Sequence, residues 1–421
     1  MNVTLHSSPY RKRPLGEVAD VISGFAFKST DFGDKGIPVI KIKNIRLGHV
    51  DLNEASYVDE KHLSIPDRFH VKNGDVLISL TGSHITQPNS VVGRIARHSD
   101  GQPRCLLNQR AGKIIAKDIR VCDPRFLFYA LSEEETMSAI AVKAHGAASQ
   151  ANVSPSQVES IEISFPPLPV QQRIAGVLSA YDELIENSQR RIKILEAMAR
   201  GLYREWFVHF RFPGHENHPR VASALGEIPQ GWDVRKLGDL VEFKKGKKPA
   251  SVFESEEVGL QRHLLIDALR GGSSREFVVP DKLISTTPDD TIMVMDGSGS
   301  SDVFIGHYGV IGSTLGRYRT QGDVDIGPFW LFLFFSSHLA EIKSKNVGSA
   351  IPHANKDFIN GMDVVIGPED VMQAFEKAVK PMFDLIRSLN KKANTLRATR
   401  DLLLPRLLSG QIDVNQMEPI Q

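Results

Sequence analysis

This chain states its framework twice, and nothing else in it limits the possible folds as strongly. Residues 15–18 (LGEV) reappear as 237–240 (LGDL), and Ile42 with Ile45 and Arg46 reappears as Ile266 with Leu269 and Arg270. Residues 74–82, an apolar run ending in glycine, resemble 289–297, and 91–93 (VVG) match 310–312 (VIG). Residues 124–131 (PRFLFYAL) resemble 328–335 (PFWLFLFF), and 146–152 resemble 348–355. Each match is weak alone, but six in one order predict a duplicated fold. The offset falls from 222 at the start to about 201 at the end, so the second copy has shorter loops on the same scaffold. Loops on a fixed scaffold are where binding specificity varies.

Each copy ends in a long amphipathic segment. Leu178, Tyr181, Ile185, Ser188, Ile192, Leu195, Ala199, Leu202 and Trp206 alternate in steps of four and three, the heptad spacing of paired helices. Adding 201 gives Val379, Met382, Ile386, Leu389, Ala393, Leu396, Arg400, Leu403 and Leu407 without a slip in register. Pro381 and Pro405 are expected to start or kink the second helix near its ends. At 1.5 Å per residue each helix reaches roughly 58 Å, and a lone one would leave its stripe in water. A domain–helix–domain–helix chain buries both stripes by pairing the helices antiparallel.

The globular parts predict mixed α and β structure. Residues 39–45 (VIKIKNI) alternate apolar with polar or basic and predict a half-buried strand; 76–80, 114–115 and 161–163 add further strands. Turns are expected at 72–74 and 100–101, and 125–138 predicts one helix with a phenylalanine-rich core face. The fold class is therefore α+β: two pseudo-repeated mixed domains, 1–165 and 213–368, joined by helices in 166–212 and 369–421 that form an antiparallel coiled coil. The proline-punctuated stretch 212–219 is the linker between copies.

Composition removes several function classes. Fifty-one Lys+Arg against 50 Asp+Glu leave a formal charge of +1, so no global field draws the chain to nucleic acid or membrane. Cys105 and Cys122 lack any CxxC neighbour, which excludes a disulfide scaffold and a zinc finger and fits a reducing cytoplasm. The longest apolar run, 329–335, is far short of the ~20 residues that cross a bilayer. Enzyme readings fail on missing parts. There is no GxxxxGK[ST] and no HExxH; 296–299 (DGSG) is a loose glycine cluster, and 165–168 (FPPL) lacks the acidic or amide residue of a [DN]PP[FYW] loop.

Residues 166–178 (PPLPVQQRIAGVL) with the long helix after them, 226–232 (GEIPQGW) and 404–412 (LPRLLSGQI) together resemble type I restriction–modification specificity subunits. The likeness spans essentially the whole chain. The second copy departs from it where 367–373 (GPEDVMQ) replaces the proline-rich stretch before the helix. The resemblance implies two target-recognition domains, each taking one half of a split asymmetric sequence in double-stranded DNA. It implies helices that set the spacing and carry two modification (adenine methyltransferase) subunits, with restriction or translocase subunits joining through them, in the cytoplasm. This chain would then be no catalyst and hold no metal or cofactor; S-adenosylmethionine, ATP and magnesium would belong to the partners. A coiled-coil adaptor whose domains bind protein, or have lost DNA recognition, is the competing reading.

For DNA contact, the placement of charge matters more than its total. The net is +2 for 1–168, +2 for 169–212, −4 for 213–368 and +1 for 369–421. Within the acidic second domain, Lys244, Lys245, Lys247 and Lys248 crowd together and are candidates for phosphate. In the first domain the candidates for base or groove contact are Lys41, Lys43, Asn44, Arg46, Thr81, Ser83, His84, Gln87, Asn108, Gln109 and Arg110. Arginine and lysine can pair with guanine O6 and N7, and asparagine or glutamine with adenine. Counterparts or neighbours in the second domain are Arg262, His263, Arg270, Ser298, Ser300 and Ser301. Arg190, Arg191, Lys193, Lys391 and Lys392 on the helices are candidates to dock partner subunits.

Overall fold

The computed structural model describes residues 9–83, 91–147, 150–272, 276–322, 326–348 and 351–416. It divides into two compact units, Met1–Ile185 with Thr395–Gln421, and Glu186–Asn394. Each unit therefore combines the sheets of one repeat with one end of each long helix.

The duplication is visible strand by strand. In the first unit a sheet runs in the order Ala19–Ser23, Ala111–Ala116, Val76–Ser79, Ile95–Arg97, Gly48–His49; in the second, Val241–Lys245, Leu315–Thr320, Thr291–Val294, Val303–Phe304 repeat the first four places. Each unit also pairs two strands in parallel, Ile37–Ile40 with Cys105–Leu107 and Gln261–Leu264 with Gly309–Ile311. Lys12–Pro14 pairs antiparallel with Glu162–Ser164 as Asp233–Lys236 pairs with Asp363–Ile366. Two glycines make this crossing of strands possible. A Cβ at Gly24 would collide with the carbonyl oxygens of Leu107 and Asn108, and one at Gly246 with that of Gly312.

That geometry corrects one repeat match. Gly312 stands where Asn108 stands in the first unit, so residues 310–312 answer to 106–108 and not to 91–93. Two glycine-ended apolar triplets are too alike for spacing alone to separate.

The predicted strand 39–45 stops at Ile40. Asn44 accepts the Lys41 amide (3.0 Å) and donates to the Asp51 carbonyl (2.9 Å), closing a 3-10 turn over Ile42–Asn44. An asparagine that bonds its own backbone outcompetes the ladder. The predicted helix 125–138 is two, Pro124–Ser132 and Glu134–Val142, because Glu133 takes an extended backbone between them. Its phenylalanine-rich face is core, with Phe126 and Leu127 fully buried, and the repeat helix Pro328–Ser337 buries Trp330 and Phe335 likewise.

The long helices run Leu168–Tyr203, continued by a π turn over Arg204–Val208, and Glu369–Leu408. In the first unit the start of one packs with the end of the other, Ile174 and Leu178 sharing a core with Leu407 and Leu408. In the second unit the order is reversed, Ala199 and Tyr203 packing with Phe375 and Val379. The pairing is antiparallel, as the heptads predict. The 201-residue offset also holds for burial. Positions 178, 185, 188, 192 and 206 are buried together with 379, 386, 389, 393 and 407, and 181, 195 and 202 are half-buried with 382, 396 and 403; only Ala199 and Arg400 differ. The second helix begins at Glu369, so Pro381 does not start it, and it continues through both prolines. Each removes one backbone bond, while buried Val379 and Phe383 on one side and Leu407 and Leu408 on the other hold the helix in place.

Candidate nucleic-acid interface

In the first unit the turn closed by Asn44 presents Lys43 and Arg46 at the surface, Lys43 4.0 Å from Glu54 and Arg46 3.7 Å from Asp51. Lys41 is half-buried: its ammonium donates to Ser56 Oγ (3.0 Å) and lies 3.5 Å from the centre of the Phe32 ring. Burial, and then the charge of Lys43, lower its pKa. Gln109 and Arg110 are exposed beside half-buried Asn108, whose Oδ1 accepts the Arg110 amide. Ser83 is half-buried; His84 and Gln87 lie outside the described residues.

Two candidates here are structural. Asn44 is 1% exposed and its amide group is taken up by the turn, so it cannot reach a base. Thr81 is buried, and its hydroxyl donates to Asn152 Oδ1 (2.7 Å), tying the strand Thr81–Gly82 to the hairpin His145–Ala147 with Gln150–Asn152.

In the second unit the strand Val241–Lys245 delivers the lysine group to the surface. Lys244 pairs with Glu242 (2.7 Å) and Lys245 with Asp296 (3.0 Å). Among the described residues, exposed Lys247 and Lys248 meet no carboxylate within 4 Å. Arg262, Arg270 and Ser298 are exposed as well. His263, Ser300 and Ser301 are not. His263 Nδ1 lies 2.8 Å from Glu276 in the interior, Ser300 donates to the Met295 carbonyl (3.1 Å) and Ser301 to Asn346 Oδ1 (2.8 Å). Ser301 also sits at φ 74°, where its hydroxyl bond holds the turn. These three carry structure and leave the set of base contacts.

Sequence reasoning missed the groups that hold the loop 296–302. Asp296 takes Lys245 and His353 (2.7 Å), and Asp302 takes Arg270 and Lys343, each at 2.7 Å. Burial raises both carboxyl pKa values, but hydrogen bonds and charge from these cations prevail and hold them below the ordinary range. Asp296 stands one residue before Gly297, as Thr81 stands before Gly82, so the repeat itself was the signal that could have found it. Among the described residues, no three His, Cys, Asp or Glu side chains are grouped to hold a metal, and no helix is long and apolar enough to cross a membrane.

Comparison with known proteins converges on one family. The type I restriction modification DNA specificity domain matches twice, over residues 7–197 and 229–395, one match on each repeat. The MjaIX specificity subunit of a type I restriction enzyme from Methanocaldococcus jannaschii is 27% identical over 329 residues, covering 74% of this chain and 73% of that protein. A putative MjaX specificity subunit from the same organism is 23% identical over 412 residues, covering 96% and 93%. The crystal structure of a type I restriction–modification S subunit from M. genitalium shares the fold, with a TM-score of 0.56, 18% identity, and coverage of 97% and 98%.

Proposed function

The chain belongs to the type I restriction modification DNA specificity family, and on that ground we infer that it is the non-catalytic subunit that selects the DNA sequence on which a larger complex acts. The observation that carries this is the duplication: the family's specificity domain falls once on each of two unlike repeats. Two different reading surfaces in one chain suit a bipartite site without palindromy, since a two-fold site needs identical halves. The helix pair sets the length of the spacer between half-sites and supplies the exposed faces on which two modification subunits dock. Restriction or translocase subunits join through them. S-adenosylmethionine, ATP and magnesium are used by those partners in the cytoplasm, and this chain contributes position.

Exchanging residues 1–165 for those of a relative with a different target tests the division of labour. One half of the methylated site should change, and the other half and the spacer should persist, as read by sequencing methylated host DNA. A change in both halves sinks the two-reader arrangement.

The two exposed lysines after the strand Val241–Lys245 give a second test. Lys247→Gln with Lys248→Gln should weaken binding to all sequences alike and lower the slope of log affinity against log salt by roughly 0.9 for each phosphate no longer neutralised. Titration of the complex on duplex DNA at several salt concentrations measures it, and an unchanged slope removes both lysines from the interface.

A further inference from the structure

The duplication places one arginine equivalently in both units and changes the residue at one place beside it; Arg46 also lies 3.7 Å from Asp51. Arg46 follows the turn Ile42–Asn44, and Arg270 caps the short helix Ile266–Leu269. The residue just before the fourth strand of the sheet is Arg94 in the first unit and Asp302 in the second. The two are equivalent by hydrogen bonding, since the Ser79 amide donates to the Arg94 carbonyl (3.0 Å) as the Val294 amide donates to that of Asp302 (2.9 Å). Arg46 and Arg94 are close enough for the charge of Arg46 to lower the pKa of Arg94, after burial does so. Arg270 instead donates through Nη2 to Asp302 Oδ2 at 2.7 Å, while Lys343 holds Oδ1 at 2.7 Å.

A Cβ on Gly299 would lie 2.7 Å from Arg270 Nη2 and 3.3 Å from Asp302 Oδ2, so a side chain there would press on the pair. The Asp302 carboxylate is 24% exposed, gripped from both sides, and the Arg270 side chain remains 49% exposed. A guanidinium held at one nitrogen is restricted in where it can reach and still has donors to offer. The guanidinium fork suits phosphate as well as base edges, but the carboxylate 2.7 Å from it repels phosphate. That favours a neutral partner with two acceptors in a plane, which among base edges in the major groove is guanine, with O6 and N7.

We propose that Arg270 reads a guanine in the half-site taken by the second domain, with Asp302 as the residue that positions it. The first domain puts Arg94 in that place, a cation where the second domain has a carboxylate. This inference rests on the DNA-selecting role set out above.

The test uses the full chain in complex with its modification subunits, selecting from a pool of random duplexes, with binding repeated over a range of salt. Arg270→Ala should erase the guanine preference at one position of the second half-site, roughly tenfold to a hundredfold in discrimination, leaving the first half-site intact. Arg270→Lys keeps the charge but not the fork, so it should weaken the same preference less than alanine does, with an unchanged salt slope. Asp302→Asn should loosen that one position several-fold, and thermal melting of each variant separates these effects from unfolding. If Arg270→Ala lowers the salt slope by about one and leaves every base preference in place, the arginine grips phosphate and the proposal is wrong. If preference and slope both stand, Arg270 lies off the DNA and the proposal is equally wrong. A wild-type complex that selects no sequence would instead overturn the role on which the proposal rests, an outcome told apart before any variant is made.

Discussion

Asp182→Ala is expected to destabilise the first unit by about 3–5 kcal/mol, the cost of stranding buried partners of a charge. Asp182 lies on the first long helix and is 8% exposed. Its carboxylate accepts the Tyr129 hydroxyl at 2.5 Å and Arg400 Nη1 at 2.6 Å, with Arg97 Nη2 3.6 Å away. These partners come from three places: the helix Pro124–Ser132, the end of the second long helix, and the sheet strand Ile95–Arg97. One carboxylate thus fastens a recognition domain to both long helices. Burial, and then the Asp182 charge, push the Tyr129 pKa far above its ordinary value, so the phenol stays a donor. Removing the carboxylate leaves Tyr129, among the described residues, a long contact to Ser179 (3.4 Å), and leaves half-buried Arg97 over the Phe128 ring. Arg400→Met should cost less than Asp182→Ala, because Asp182 keeps the Tyr129 hydroxyl and Arg97. Denaturant unfolding of the two variants and their combination measures the coupling. An Asp182→Ala chain that unfolds within about 1 kcal/mol of wild type would show that the cluster is a surface pair of ordinary worth.

How much of this was legible in the residues follows from the range of the interactions. The helix pair was legible because its signal is periodic and repeated: eighteen positions at one offset give register and sense together. The sheets were legible as apolar runs with glycine ends, and for the same reason 310–312 could be matched to the wrong triplet. The hairpin of Arg220–Ser223 with Gly226–Pro229 went unseen just after the linker 212–219, most of its residues being exposed and without alternation. At the candidate interface, residue type predicts chemistry but not exposure. Asn44 and Ser300 bond backbone carbonyls a few residues away and Ser301 bonds Asn346 Oδ1, and these bonds turn all three inward. Arg270 was visible as a cation, whereas Asp302, which determines what that cation can do, is 32 residues away and acidic. A search for basic residues does not find it.

The same offset that aligns the helices predicts what happens at the place equivalent to Asp182, which is Phe383. There the second unit is apolar: Phe383 stacks on Phe329 at 4.5 Å and 11°, and meets Phe332 edge-on at 5.7 Å. It is 4% exposed, so Phe383→Ala should cost the second unit about 3–5 kcal/mol through forfeited burial and the cavity left behind. Phe383→Asp restores the first repeat's residue yet should be worse than alanine. The position equivalent to Arg400 is Ala199, fully buried and without charge, so the new carboxylate would find no guanidinium. Adding Ala199→Arg to Phe383→Asp rebuilds the first repeat's ion pair at the second repeat's address. If the helix pair is symmetric at the level of side chains, the double variant should unfold at higher denaturant than Phe383→Asp alone. Should Ala199→Arg bring no recovery, the two-fold relation of the helices would extend to their register and not to the packing of individual side chains.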